Sequence, residues 1–237
     1  MLVYNSPPGG CRGNRNIAPF VLVYKYFTMS LEDIKVLQAE NFFPKYTQKE
    51  LLLLSDKVKY IFHPTITYDP KQKTQLPWIE KWNKHRNIQD TCGFSAVLEP
   101  DSDVYKKVSG LVKFHTTKVF NIEIKKILRL MFVILPPNPL YKNDYEMTPH
   151  IDINRSTTVP IKNLLYFIND NDAPTVYYSQ KVDDMNKVDL SNISIVEKVF
   201  PKMGKASIWD GSIVHAASVS KTNLRITLNV LFESTDK

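Results

Sequence analysis

Along residues 127–232, apolar positions come in short runs divided by turn formers. Residues 127–135 are a nearly unbroken apolar run closed by Pro136 and Pro137. After a long loop at 138–149, seven more strand-like segments follow, at 150–152, 161–168, 175–178, 193–200, 206–209, 213–217 and 225–232. Asn169-Asp170-Asn171-Asp172, Gly204 and Gly211 mark turns between them. Eight short strands at this spacing predict a sandwich or barrel, and a double-sheet jelly roll has that number. The last segment is the most informative, because strand side chains alternate between faces. Arg225, Thr227, Asn229 and Leu231 fall on one face, and Ile226, Leu228, Val230 and Phe232 on the other. The apolar face must pack on a core, expected to come from helices before residue 120. The polar face is either solvated or the lining of a pocket.

Upstream the period changes. Residues 30–40 read as a helix, with Ser30 as N-cap and Leu31, Ile34 and Leu37 on one stripe. Residues 47–61 read as a second helix, opened by a Thr47/Glu50 capping box. Residues 102–115 form a third, capped by Asp101 or Ser102, with Val104, Val108, Leu111 and Val112 facing one way. Between them, Pro64, Pro70, Pro77 and Pro100 make 64–100 irregular, apart from a short helical turn carrying Trp78 and Trp82, which are expected to pack on a core. Residues 1–28 are rich in turn formers and read either as a loosely packed extension or, over 21–27, as an added edge strand. The fold class expected is therefore α+β, an all-β jelly-roll core at 126–237 with a helical support region at 29–125, in one globular unit.

Composition narrows the setting. Hydrophobic residues make up 43% and charged residues 23% of 237, the profile of an ordinary globular protein. No apolar run is long enough to span a bilayer. Residues 17–27 are apolar but broken by Pro19 and Lys25, unlike a signal peptide. Cys11 and Cys92 cannot form a disulfide framework, which favours a reducing, cytoplasmic setting. The net charge of +7 fits a lysine-rich soluble surface. An anionic partner such as nucleic acid would suit it too, but no dense basic block or aromatic-basic stripe indicates one.

The candidate chemistry lies in the strand-rich half. His150 and Asp152 are two apart and would share a strand face. His215 sits on the penultimate strand and Arg225 opens the last. Two histidines and one carboxylate can hold one face of a metal and leave the opposite positions open. An arginine nearby gives a fixed fork for a carboxylate. His150-x-Asp152 alone is a weak signal, since chance supplies such pairs. His63, His85 and His115 show no ligand spacing and read as structural or surface residues.

In combination these residues resemble the 2-oxoglutarate/Fe(II)-dependent dioxygenase superfamily, in particular its compact prolyl-hydroxylase-like members from phages, viruses and microbes. Residues 165–177 are similar to the segment written YLND…GGET.F, and residues 204–215 to G…FDG…H. The likeness spans about 128–232. It departs at Ala173-Pro174, where a double glycine is usual, and at Arg225, where typical prolyl 4-hydroxylases carry lysine. The resemblance implies a double-stranded β-helix and a hydroxylase releasing succinate and CO2. His150, Asp152 and His215 would be the catalytic iron ligands. Arg225 would bind 2-oxoglutarate, with Thr227 adding a hydrogen bond, and Tyr166 would be either close to the metal or plain core. Because Asp152 is a carboxylate, the resemblance implies oxygenation rather than halogenation. Fe(II), 2-oxoglutarate and O2, with ascorbate in support, would be the cofactors. The substrate would be a peptidyl proline or other side chain, a small molecule or a nucleobase, selected by the loops at 138–149 and 181–191. Two other readings stay open: a jelly-roll metal- or ligand-binding protein without turnover, and a zinc hydrolase built on the same three residues.

Overall fold

The computed structural model describes residues 34–65, 78, 80–82, 91–140, 146–152 and 159–235. Its ten strands among these residues form two antiparallel sheets. They are β1 (Val36–Ala39), β2 (Ile61–His63), β3 (Gly93–Val97), β4 (Ile124–Leu135), β5 (Ile161–Phe167) and β6 (Thr175–Lys181), followed by β7 (Ile195–Val199), β8 (Ala206–Asp210), β9 (Ile213–Ala217) and β10 (Arg225–Ser234).

 Two isolated single-residue bridges, Glu146 to Ser218 and His150 to His215, lay the segment 146–150 antiparallel beside β9. The larger sheet runs β1-β8-β5-β10-β4-β3-β2, and the smaller runs β7-β6-β9.

Two helices cover the outer face of the larger sheet. Helix α1 (Lys45–Ser55) turns Thr47, Gln48, Leu51 and Ser55 inward. Helix α2 (Asp103–Phe120) buries Val108, Val112, His115, Thr116 and Val119. These residues pack with Leu228, Val230 and Phe232 of β10 and Leu130 and Phe132 of β4. The apolar face of the last strand thus meets the helices, as its alternation requires. A second cluster lies on the smaller sheet, where Trp78 and Trp82 pack with Val176, Tyr178 and Val214. The Trp82 and Tyr178 rings meet edge-on at 5.5 Å. Both tryptophans are core residues, as expected.

Several local expectations are corrected. Within 30–40, residues 36–39 are a strand paired with β8, not a helix. Leu37 packs on the helix side of the sheet, and Ile34 and Val36 on the other side, so both faces are buried with a period of two. Helix α1 starts two residues before the supposed capping box. Pro44 is its N-cap, and Thr47 lies buried inside the helix with no side-chain partner. Irregularity over 64–100 gives way at β3, which pairs with β4 and β2. The helical support region therefore also contributes strands to the sheet.

Helix α2 keeps its expected cap, Ser102 Oγ accepting from Tyr105 N at 3.1 Å. It runs five residues beyond the expected end and stops where Asn121 turns left-handed, at φ 57°. Gly204, at φ +87°, makes the turn into β8 where a Cβ would collide with the Gln48 side chain. The readings for residues 1–28, the Ser30 cap and His85 lie outside the described residues. No helix among the described residues is long and apolar enough to cross a membrane.

Candidate metal and cosubstrate site

The inner faces of the two sheets enclose a cavity of about 410 Å³. His150, Asp152 and His215 meet on its wall, and one ligand atom from each lies within 4.8 Å of the others. Asp152 does not share a strand with His150. Regular pairing ends at the His150 bridge, and the chain bends at Asp152, which brings the carboxylate round to the histidines. His215 Nε2 lies 3.2 Å from Asp152 Oδ2.

Backbone carbonyls set the histidine tautomers. His150 Nδ1 is 3.1 Å from Thr148 O, and His215 Nδ1 is 2.9 Å from Ile213 O. A carbonyl only accepts, so each Nδ1 carries the proton and each Nε2 keeps its lone pair. Burial holds the His150 imidazole neutral, lowering its pKa to about 4, and His215 beside it acts in the same direction. Burial alone would raise the Asp152 carboxyl, but the neighbouring His215 ring and the charge of Arg129 outweigh it and keep the group ionised. Two neutral imidazoles and one carboxylate, with their lone pairs converging, suit a divalent metal of the Fe(II) type.

Asp152 is held from behind by residues that sequence reasoning missed. Arg129 of β4 pairs with its Oδ1, and Asn163 of β5 donates to Oδ2 at 2.7 Å. The available signal was a polar side chain inside each of two apolar strand runs. Period two alone does not say which face of the sheet is the cavity.

Arg225 lies at the other end of the same cavity, 4% exposed. Its Nη2 donates to Thr175 Oγ1 at 2.7 Å, and the guanidinium lies 5.7 Å from the centre of the Phe167 ring. Its Nε has no partner, and no carboxylate among the described residues pairs with it. Burial depresses its pKa to about 10. A buried cation without a counter-charge is costly, so this end of the cavity is built for an anion. Thr227 also lines the cavity, with its hydroxyl donating to Asn229 Oδ1 at 2.8 Å. Thr175 is a further cavity residue that the sequence did not single out.

Tyr166 is plain core. It points to the helix side of β5 and packs edge-on against Phe43 at 4.8 Å. His63, expected to be a structural or surface residue, lines the cavity and hydrogen-bonds Ser95 at 2.8 Å. His115 is structural, buried against Phe42 and Phe43. The described part of loop 138–149 reaches the cavity through Met147. The loop at 181–191 does not line it: Met185 and Val188 pack into the tryptophan cluster instead.

No family model matches the chain, and no curated protein does. Solved structures do. The non-heme alpha-ketoglutarate-dependent epimerase SnoN from nogalamycin biosynthesis superposes with a TM-score of 0.56 at 9% identity, over 85% of this chain and 79% of SnoN. An oxidoreductase of the 2OG-Fe(II) oxygenase family from Burkholderia pseudomallei gives 0.54 at 9% identity, over 84% of each chain. HygX from Streptomyces hygroscopicus, solved with nickel and 2-oxoglutarate bound, gives 0.52 at 11% identity, over 86% of this chain and 85% of HygX. The two facing antiparallel sheets are thus the double-stranded β-helix fold shared with 2OG-Fe(II) oxygenases.

Proposed function

We propose that this protein is an Fe(II)- and 2-oxoglutarate-dependent oxygenase that hydroxylates a C–H bond of an organic substrate. The observation that carries the proposal is the pairing of two features in one cavity. One is a converging His150/Asp152/His215 donor set, and the other is a buried Arg225 with no carboxylate partner among the described residues. His150 Nε2, His215 Nε2 and one Asp152 oxygen would hold the metal. Arg225, steadied by Thr175, would take the distal carboxylate of 2-oxoglutarate, and Thr227 could add a hydrogen bond. Leu165, Val133 and Trp209 line the space between these ends with apolar surface, which keeps bulk water from the reacting groups. Bound Fe(II) would supply the oxidative chemistry, in which O2 and 2-oxoglutarate are consumed, succinate and CO2 leave, and one oxygen atom enters the substrate.

A zinc hydrolase could use the same three ligands, but it has no need of a buried guanidinium at the far end. Calorimetry with Ni(II)-loaded protein tests the proposal under aerobic conditions. 2-Oxoglutarate should bind, and Arg225→Ala should remove that binding. Fe(II)-loaded protein with ascorbate should then release succinate slowly even without added substrate. Absence of 2-oxoglutarate binding to the metal-loaded protein would sink the proposal.

A further inference from the structure

We infer that Arg129 is the anchor for an anionic group of the substrate, and that the substrate is a small monocarboxylic acid with an apolar skeleton. The inference rests on the oxygenase reading and names the substrate class of that site.

The first observation is charge. Arg225 and Arg129 bring two positive charges to the described cavity wall, and Asp152 brings one negative charge. A divalent metal and the dianion of 2-oxoglutarate cancel each other. The loaded cavity therefore keeps one positive charge, and its position is that of Arg129. Arg225 faces the cosubstrate, whereas Asp152 must serve both the metal and Arg129. A single carboxylate would balance the site, and a phosphate dianion would overshoot.

The second observation is hydrogen bonding. A guanidinium has five N–H donors in a planar fork. Among the described residues only Nη2 of Arg129 is engaged, by Asp152, and its buried Nε has no acceptor. The third is the neighbourhood. Met131 lies two residues along β4 on the same face, and Val97 of β3 is in register with it. Both line the cavity, and Val97 is 54% exposed, so the wall beside Arg129 is apolar and open at the β3 end.

The test uses the full chain loaded with Mn(II) and saturating 2-oxoglutarate. The probes are isovalerate, its neutral isostere isovaleramide and the cation isoamylamine. Proton relaxation by the metal reports binding close to it. Isovalerate should show saturable enhancement and bind at least about tenfold more tightly than the other two, a difference of about 1.4 kcal/mol. R129Q should remove that preference while 2-oxoglutarate affinity stays within about threefold of wild type. If R129Q does not hold Mn(II), R129K decides, because it keeps a charge beside Asp152 but loses the fork. A several-fold loss of isovalerate affinity is expected there. Equal affinity for isovalerate and isovaleramide in the wild type, or wild-type isovalerate affinity in the variant used, overturns the inference. Failure of 2-oxoglutarate itself to bind would instead strike the oxygenase reading.

Discussion

His150 and His215 face each other across a reciprocal pair of backbone hydrogen bonds, His150 N to His215 O at 2.9 Å and His215 N to His150 O at 3.0 Å. In an antiparallel bridge of this kind, the two side chains leave the same side of the sheet. Their ring centres lie 4.5 Å apart. The backbone thus fixes two donors before any metal arrives, and only Asp152 depends on a bend and on side-chain partners.

Because main-chain atoms make that bridge, His150→Ala and His215→Ala should keep the fold and lose the metal. Co(II) affinity should fall by more than the roughly 10–100-fold that loss of an outer-shell partner costs. Far-UV circular dichroism should be unchanged. Co(II) titration followed by the visible spectrum checks this, and a variant that binds Co(II) like the wild type would remove that histidine from the ligand set.

Arg225→Met should separate stability from binding. Arg225 is buried, with Thr175 as its hydrogen-bond partner and an unsatisfied Nε. Replacing an uncompensated buried charge by an apolar side chain of similar length is often neutral or stabilising. The melting temperature of the ligand-free protein should therefore hold or rise. Binding of 2-oxoglutarate should weaken by about 2–5 kcal/mol, the usual effect of truncating one partner of a buried charge pair. Thermal unfolding with and without 2-oxoglutarate reads both effects. A variant that is destabilised when free yet still stabilised by 2-oxoglutarate would contradict this account.

How much was legible follows from where each side chain sits. The last strand was readable because its faces differ in kind: Leu228, Val230 and Phe232 are core, and Arg225, Thr227 and Asn229 line the cavity. His150, His215 and Arg225 stood out because imidazoles and a guanidinium are rare within apolar strands. Arg129 and Asn163 carried the same signal, but their task appears only when β4 and β5 are placed beside Asp152. Leu31, Ile34 and Leu37 suggested a helical stripe. Val36 and Leu37 in fact serve opposite faces of one sheet, and a strand buried on both sides hides its alternation. The segment Gly93–Val97 is a strand mainly because β4 offers it an edge, which is a tertiary cause invisible locally.

His115 gives a pH dependence independent of the metal site. It lies on the core side of α2, with its ring 5.1 Å from that of Phe43. Burial lowers its pKa, and Lys118 adds to the effect. The folded protein therefore resists a proton that the unfolded chain accepts below about pH 6.5. Stability from this group is complete above that pH and is lost as the pH falls below it. In urea titrations of metal-free protein, the midpoint should drop between pH 7.5 and pH 5.5, and His115→Gln should drop by less. Equal drops in the two proteins would show that His115 does not contribute.

Asn163 should prove as important to the metal as its distance from the ligand set allows. It lies on β5 between Leu231 of β10 and Trp209 of β8, 4% exposed, and its amide donates to Asp152 Oδ2 at 2.7 Å. Asp152 follows a bend rather than a paired strand, so its rotamer relies on Asn163 and Arg129. In Asn163→Leu the position stays filled with side-chain volume, but the donor is gone. The metal dissociation constant should rise by about 10–100-fold. Affinity of the metal-saturated variant for 2-oxoglutarate should stay within about threefold of wild type, because Arg225 holds the distal carboxylate at the opposite end of the cavity. Metal titration followed by 2-oxoglutarate calorimetry measures the two in turn. Unchanged metal affinity would mean that Arg129 alone orients Asp152, whereas loss of both would place Asn163 in the general integrity of the cavity rather than in the aim of one carboxylate.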